Sequence, residues 1–357
     1  MSNLYCSPNA KNKSSSNTCY NNKIIEKVVD IYNKKNKTQL IKGGNVSDLI
    51  PELENHFGKQ KDWDKHADLQ IIKDDIKSRL VPNKPQSWSK DPWLSTIDIL
   101  NSLKQYDDAN PDFKFIGPTP IDFDHKLSLN QCVENDLCNI DIEKLVKDGI
   151  RKIGVVFNLD KHTESGSHWV SMFIDLNHGS IYYFDSVGTH PPPEIEILST
   201  RIAEQGNRLI FDKGYKISHK HDLEINFKVV NNKIYISNDD KSYLYEGALV
   251  YFVKKTKKLT NEKPNVVSKI LSNNIVIYDN NKQTIIPDPS IHKLIKHSFT
   301  SLYSSVSHQK GNNECGIYSI HFIINMVNGG DWEKYIKNIK NDKFMKQHRD
   351  IFFRPQN

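Results

Sequence analysis

HQKGNNECGIYSIHFIINMV, residues 308–327, decides how this chain is read. Gln309 stands six residues before Cys315, glycines flank the run, and Cys315 opens an apolar stretch in which Ile317, Ile320, Ile324 and Val327 recur at helical spacing. A helix N-terminus carries unpaired amide donors and partial positive charge, which favour a thiolate placed against them. Gly311 and Gly316 let backbone approach closely. The pattern predicts a nucleophilic cysteine at the start of a helix, with a neutral amide donor beside it. The competing reading of the same residues is a polar loop entering a core helix with a buried, inert cysteine.

A nucleophilic cysteine needs a base, and the base needs a group to orient it. The chain has 14 histidines, so a histidine alone carries no weight. His168, in GSHWV, opens an expected strand at 168–176. Asp185, in YYFDSVG, closes the next one at 179–187, and the Asn-His-Gly-Ser turn between them suits a hairpin. Hairpin pairing sets the start of the first strand beside the end of the second, which brings His168 and Asp185 together. Read alone, Asp185 is also an ordinary turn-forming aspartate. Gln309 supplies a side-chain N–H that can hold an oxyanion without competing for the proton.

Composition limits the remaining classes. The chain has 357 residues, with 37% hydrophobic and 26% charged content, which reads as a polar, globular protein of two or three domains. MSNLYCSPNAKNKSSS lacks the apolar centre of a secretory signal, and no run approaches the length of a spanning helix, so a soluble, non-secreted protein is expected. Five cysteines at scattered spacing argue against a disulfide framework, and Cys132 and Cys138 have no second pair at zinc-site spacing. The net charge of +6 is uneven. Residues 207–297 hold 16 Lys+Arg against 9 Asp+Glu, while the rest of the chain holds 33 against 34. The excess marks either an internal module with an acidic partner or a solvated lysine-rich face.

Along the chain, residues 1–22 are rich in Asn, Ser and Lys and are expected to be a disordered tail. Residues 23–85 read as a helical N-terminal extension, with helices near 23–36, 48–57 and 68–80, and a Pro-punctuated linker follows. Residues 86–206 hold a helix at 93–106, the His168–Asp185 hairpin and a Pro-started helix at 191–206. Residues 207–297 are β-rich and resemble a small SH3-like or Tudor-like barrel. Residues 298–357 hold Gln309 and Cys315.

The ordered set His168-Trp169, Asp185, Gln309 and Cys315-Gly316 resembles cysteine proteases of the adenain and SUMO-protease type. WLSTIDI at 93–99 and the C-terminal NGGDWEKYIKNIKNDKFMKQHRDIFF add to the likeness, which covers residues 90–206 and 298–353. Within that family the sequence looks most like the processing proteases of large cytoplasmic DNA viruses. The resemblance implies an α+β fold, papain-like but inverse in chain order: a central mixed sheet flanked by helices, here with an N-terminal helical extension and an inserted small β-barrel. It implies a thiol endopeptidase that cuts after Gly-Gly while maturing virion polyproteins, acting in the virion and host cytoplasm with no metal or cofactor. It implies catalytic roles for Cys315, His168, Asp185 and Gln309. Trp169 would wall a narrow glycine channel, Asn158 would line the cleft and Trp93 would support it. The sequence departs from the compact family in the 124-residue step from Asp185 to Gln309, which the basic segment accounts for. Expected partners are a Gly-Gly-containing virion or ubiquitin-like protein and, through residues 207–297, nucleic acid or a capsid protein. The rivals are a deubiquitinase or SUMO-type protease, a related acetyltransferase, and a non-catalytic virion scaffold. KGGN at 42–45 and NGGD at 328–331 contain Gly-Gly, and the first, between helical segments, is a candidate self-cleavage site.

Overall fold

A computed structural model of the chain describes residues 4–11, 17–37, 46–85, 88, 93–218, 223–253, 259, 263–272, 274–279, 281–288 and 291–355. The KGGN stretch and half of the Pro-punctuated linker at 82–93 lie outside the described residues.

The chain is α+β, and its central sheet is mixed. Strands β1 (Phe113–Pro120), β2 (Lys152–Asn158), β3 (Trp169–Asp175) and β4 (Ser180–Phe184) lie side by side. Six further strands intervene: β5 (Leu223–Val230), β6 (Lys233–Ile236), β7 (Leu249–Val253), β8 (Asn265–Ile270), β9 (Ile275–Tyr278) and β10 (Lys293–Lys296). Strand β11 (Thr300–Tyr303) then completes the sheet, in the order β1-β2-β3-β4-β11. β1 runs parallel to β2 and β11 parallel to β4, while β2-β3 and β3-β4 are antiparallel.

Helices cover both faces. Thr96–Ala109, Cys315–Val327 and Asp342–Phe352 pack on one side around Phe113, Phe173 and Phe184. Ile142–Lys147 and Pro193–Lys213 pack on the other around Phe157, Ile174 and Ile181. This explains a departure from the sequence pattern. HWVSMFIDL alternates apolar and polar, which predicts one solvated face, yet every residue of β3 is buried. A central strand between two helical layers has no wet face, and Ser171 meets its need by donating to the Phe184 carbonyl. The Cys315–Val327 helix likewise buries Tyr318, Phe322 and Met326 beyond the expected stripe, because sheet and helices enclose it.

The N-terminal residues form a separate small core around Ile25, Val28, Leu53, Trp63 and Ile76. Two expectations are corrected here. The stretch 1–22 is not wholly a loose tail: within it Cys19 and Tyr20 are buried, Tyr20 stacks on Trp63 with ring centroids 5.2 Å apart, and the Ser7 amide bonds the Arg79 carbonyl at 3.0 Å. Its polar composition hid the few residues that anchor it. The cysteines are not unpaired either, for Cys6 bonds Cys19 and Cys132 bonds Cys138, leaving Cys315 free. Folding brings these pairs together at spacings that match no regular framework. The expected helix over 68–80 is 3-10 turn as far as Ile72 and α-helix only at Lys73–Lys77. Arg354 joins this unit to the C-terminus through a buried, bidentate pair with Asp64, at 2.9 and 2.7 Å.

The six intervening strands close into a barrel in the order β10-β5-β6-β9-β8-β7. Ile225, Phe227, Phe252, Val267, Ile277 and Leu294 fill its interior. The Pro193–Lys213 helix leads into it, ending at Gly214 in the left-handed region (φ 66°) that glycine takes without strain. Tyr245 docks the barrel, accepting from Asn207 Nδ2 at 2.8 Å and donating to the Phe299 carbonyl at 2.7 Å. Gly206 sits against the Phe299 ring, where a Cβ would lie 2.4 Å away. The chain therefore leaves and re-enters the core on one side, and β11 carries the following loop back to the end of β4.

Candidate active site

His168 immediately precedes β3 and Asp185 immediately follows β4. Pairing of Ser171 with Phe184 sets these two strand ends together. His168 Nε2 lies 2.7 Å from Asp185 Oδ1. The carboxylate is buried and is fixed by further donors, the Val187 amide on Oδ1 at 3.0 Å and the Thr189 amide on Oδ2 at 3.3 Å. With Nε2 engaged, Nδ1 is the ring nitrogen left to exchange a proton with a nucleophile. Burial opposes charge on the imidazole, but the Asp185 hydrogen bond and the Cys315 sulfur together outweigh it and push His168 up to about 9. The raised value favours the imidazolium, the charge that a thiolate partner requires.

Cys315 is the first residue of its helix, buried and free. Gln309 stands at the head of the loop that leads into this helix. The amides of His308 and Gln309 both bond the Ser186 carbonyl at 2.8 Å, which ties this loop to the end of β4 across the barrel insertion. Ser186 Oγ donates to Gln309 Oε1 at 2.7 Å, and Gln309 Nε2 donates to the Gly311 carbonyl at 2.6 Å. A primary amide has two N–H donors, and this leaves the second for an oxyanion.

The rest of the loop hangs on the C-terminal helix. Asp342 Oδ2 accepts from the amides of Gly311 (2.8 Å) and Lys310 (3.1 Å). Arg349 donates to Glu314 Oε2 and to the Asn313 carbonyl, each at 2.9 Å, and the Glu314–Arg349 pair is buried. Ser186, Asp342, Arg349 and Glu314 were missed in the sequence reading. Only Glu314 left a signal: an acid beside a helix-opening cysteine in an apolar setting requires a buried cation.

Trp169 is buried, and its indole donates to the Leu94 carbonyl at 3.0 Å. Gly316 admits Leu94 to this position, since a Cβ there would lie 2.8 Å from Leu94 Cδ1. Trp169 and Asn158 line one cavity of about 260 Å³, with Pro118, Thr119, Val133 and Gly166 among its other walls. Asn158 Oδ1 accepts from the amides of Asp160 and Ser167, shaping the loop that ends at His168. Trp93 does not line that cavity. Its indole donates to Asn313 Oδ1 at 3.1 Å, behind the loop that leads into Cys315. No group of three or more His, Cys, Asp or Glu side chains arranged to hold a metal ion occurs among the described residues.

The arrangement provides an imidazole oriented by a carboxylate, a free sulfur at a helix start and an amide donor held by two partners. Such a set can carry acyl transfer through a thioester.

The family model of the Ulp1 protease family, C-terminal catalytic domain, matches residues 152–211. Over nearly its whole length the chain is similar to a protein described as a thiol protease of Acanthamoeba polyphaga mimivirus, 27% identical, with 98% of this chain and 93% of that one covered. A SUMO-1 cysteine protease of African swine fever virus is 38% identical over 64 residues, which are 17% of this chain and 23% of the viral protein. The crystal structure of a protease from that virus superposes with a TM-score of 0.53 at 17% identity, covering 98% and 97% of the two chains, a likeness of fold.

Proposed function

We propose that this chain, a cysteine protease with a Ulp1-type catalytic domain, cuts peptide bonds after Gly-Gly and matures structural polyproteins of a large DNA virus, in the virion and the host cytoplasm. The observation that carries the catalytic part is the 2.7 Å contact of His168 with buried Asp185, together with the rise of His168 to about 9 beside Cys315.

Cys315 attacks the scissile carbonyl as thiolate. The developing oxyanion is held by the second N–H of Gln309 and by the Cys315 amide, which is unpaired at the first position of its helix. His168 gives its Nδ1 proton to the leaving amine, and Asp185 keeps the ring oriented through Nε2. Water, with its proton taken by Nδ1, then hydrolyses the thioester and restores the sulfur. Trp169 and Asn158 border the entry for the residues before the cut, and a slot closed by an indole admits residues that lack a side chain. Trp93 supports the nucleophile loop through Asn313. The basic barrel recruits an acidic partner, either nucleic acid in the assembling particle or a capsid protein.

The short match to a SUMO-1 cysteine protease favours one alternative, deconjugation of a ubiquitin-like protein. Incubation with a panel of Gly-Gly-containing virion precursors and ubiquitin-like conjugates separates the two. Cleavage of the precursors alone supports the first reading, and cleavage of the conjugates alone supports the second. Full activity in Cys315→Ala would refute both.

A further inference from the structure

The chain between β1 and β2 folds back on itself along the cavity that Trp169 borders. Lys126 and Cys132 pair as an isolated antiparallel bridge, and the Leu127 amide bonds the Gln131 carbonyl at 2.7 Å. Cys132 is joined to Cys138, six residues on. The Lys126 ammonium stands 2.9 Å from Cys132 Sγ and 3.3 Å from Cys138 Sγ. Cys132 is buried while Cys138 is half-exposed. Val133, next to Cys132, lines the cavity with Asn158 and Trp169. Its amide bonds the His125 carbonyl at 3.0 Å, and the Glu134 amide bonds that of Phe123 at 3.0 Å.

We propose that Cys132–Cys138 is a reversible redox site, in which the closed disulfide sets the Val133 wall of the cleft and Lys126 stabilises the thiolate that forms when it opens. The ammonium of Lys126, an exposed residue within hydrogen-bond reach of both sulfurs, serves no purpose for the disulfide itself, which is neutral. It favours the anion released on reduction, which makes cysteine a better leaving group. The step is thiol–disulfide exchange with a dithiol reductant. One thiolate of the dithiol attacks the accessible Cys138 Sγ, and the electron pair of the broken S–S bond passes to Cys132 Sγ beside Lys126. The second thiol of the reductant then displaces Cys138, and the reductant leaves as a cyclic disulfide. Two electrons enter the protein, one proton of the dithiol ends on Cys138, and the other is released to solvent, which leaves Cys132 as the thiolate beside Lys126. A small disulfide such as oxidised glutathione reverses the step. Opening frees the Val133 wall while His168, Asp185, Gln309 and Cys315 keep their own supports, so binding weakens and turnover at saturation holds.

The test equilibrates full-length protein in glutathione buffers of graded ratio, quenches in acid, alkylates and reads each cysteine by mass spectrometry. This arm stands whatever the enzyme cuts. The expected result is a reversible Cys132–Cys138 transition, with Lys126→Ala needing about tenfold more reducing buffer to open it and Lys126→Arg staying within about twofold of the original. The second arm rests on the protease reading and measures KM and kcat on a Gly-Gly peptide, normalised to reactive Cys315. Opening raises KM about threefold or more with kcat held within about twofold, and Cys132→Ser/Cys138→Ser shows the raised KM in every buffer. A pair that never closes, a Lys126→Ala midpoint equal to wild type, or a KM indifferent to opening overturns the proposal. Absence of any cleavage with a normal thiol transition counts against the Gly-Gly reading and leaves the redox site standing.

Discussion

Asp185→Asn isolates the electrostatic contribution to the site. The amide keeps the size of the carboxylate, and its single oxygen can still accept from the Val187 amide, while the Thr189 amide, which bonds the other oxygen, loses its acceptor. What it loses is the charge facing His168 Nε2 at 2.7 Å. The rise of His168 from 6.5 to about 9 represents about 3 kcal/mol of preference for imidazolium, shared between Asp185 and Cys315. Burial acts in the opposite direction, so removing the carboxylate lowers the ring's value from about 9, with the Cys315 sulfur alone left to oppose burial. Less of the ring is then protonated at pH 7, and with the lost orientation kcat/KM at pH 7 falls by about 10²–10³. The assay is a pH–rate profile from pH 5 to 10 on a Gly-Gly peptide. Wild type holds its activity until the basic limb near 9, and the variant loses it at lower pH. A variant whose basic limb stays near 9 refutes the assignment of Asp185 as the source of the shift. The same raised value fixes the sign of the stability effect. The protonated ring's contribution is complete below 6.5 and is lost as pH rises through about 9, a trend that chemical denaturation at pH 6, 8 and 10 reads directly.

Further substitutions test other parts of the account. Gln309→Ala lowers kcat by about 10²-fold with KM little changed, by removing an oxyanion donor, and steady-state kinetics measure it. Ser186→Ala leaves Gln309 Oε1 without its 2.7 Å donor and lowers kcat about tenfold, a smaller loss in the same parameter. Gly316→Ala drives a methyl into Leu94, shifts the carbonyl that holds the Trp169 indole, and raises KM while costing about 1–3 kcal/mol of stability by denaturant titration. Arg354→Met strands the buried Asp64 carboxylate and costs about 3–5 kcal/mol, which Asp64→Leu in the same chain largely restores.

The sequence carried the placement of the candidate site residues more fully than that of the residues around them. His168 and Asp185 were legible because two short strands and a four-residue turn fix a register, and register dictates which ends meet. Cys315 was legible because a helix start has a local signature. The contacts that join Gln309 to Ser186 and the 310–314 loop to Asp342 and Arg349 cross long stretches of chain, and each of those residues alone resembles an ordinary polar residue. The burial of β3 on both faces depends on helices far away in sequence, so its alternation misled. The small N-terminal core escaped for a similar reason: Cys19 and Tyr20 are two anchors in a polar stretch whose average composition reads as unstructured. The barrel was legible from short β-branched runs and Asn-rich turns, while its attachment through Tyr245, Asn207 and Phe299 was not.

The central claim is that Cys315 is a nucleophile activated by His168. A peptide ending in Gly-Gly with a thiol-reactive warhead, incubated with wild-type protein and with His168→Ala and mapped by mass spectrometry, tests it most directly. The account predicts an adduct on Cys315 alone in the wild type and its loss in the variant. Equal labelling of Cys315 in both proteins, or no labelling of Cys315 at all, would contradict it.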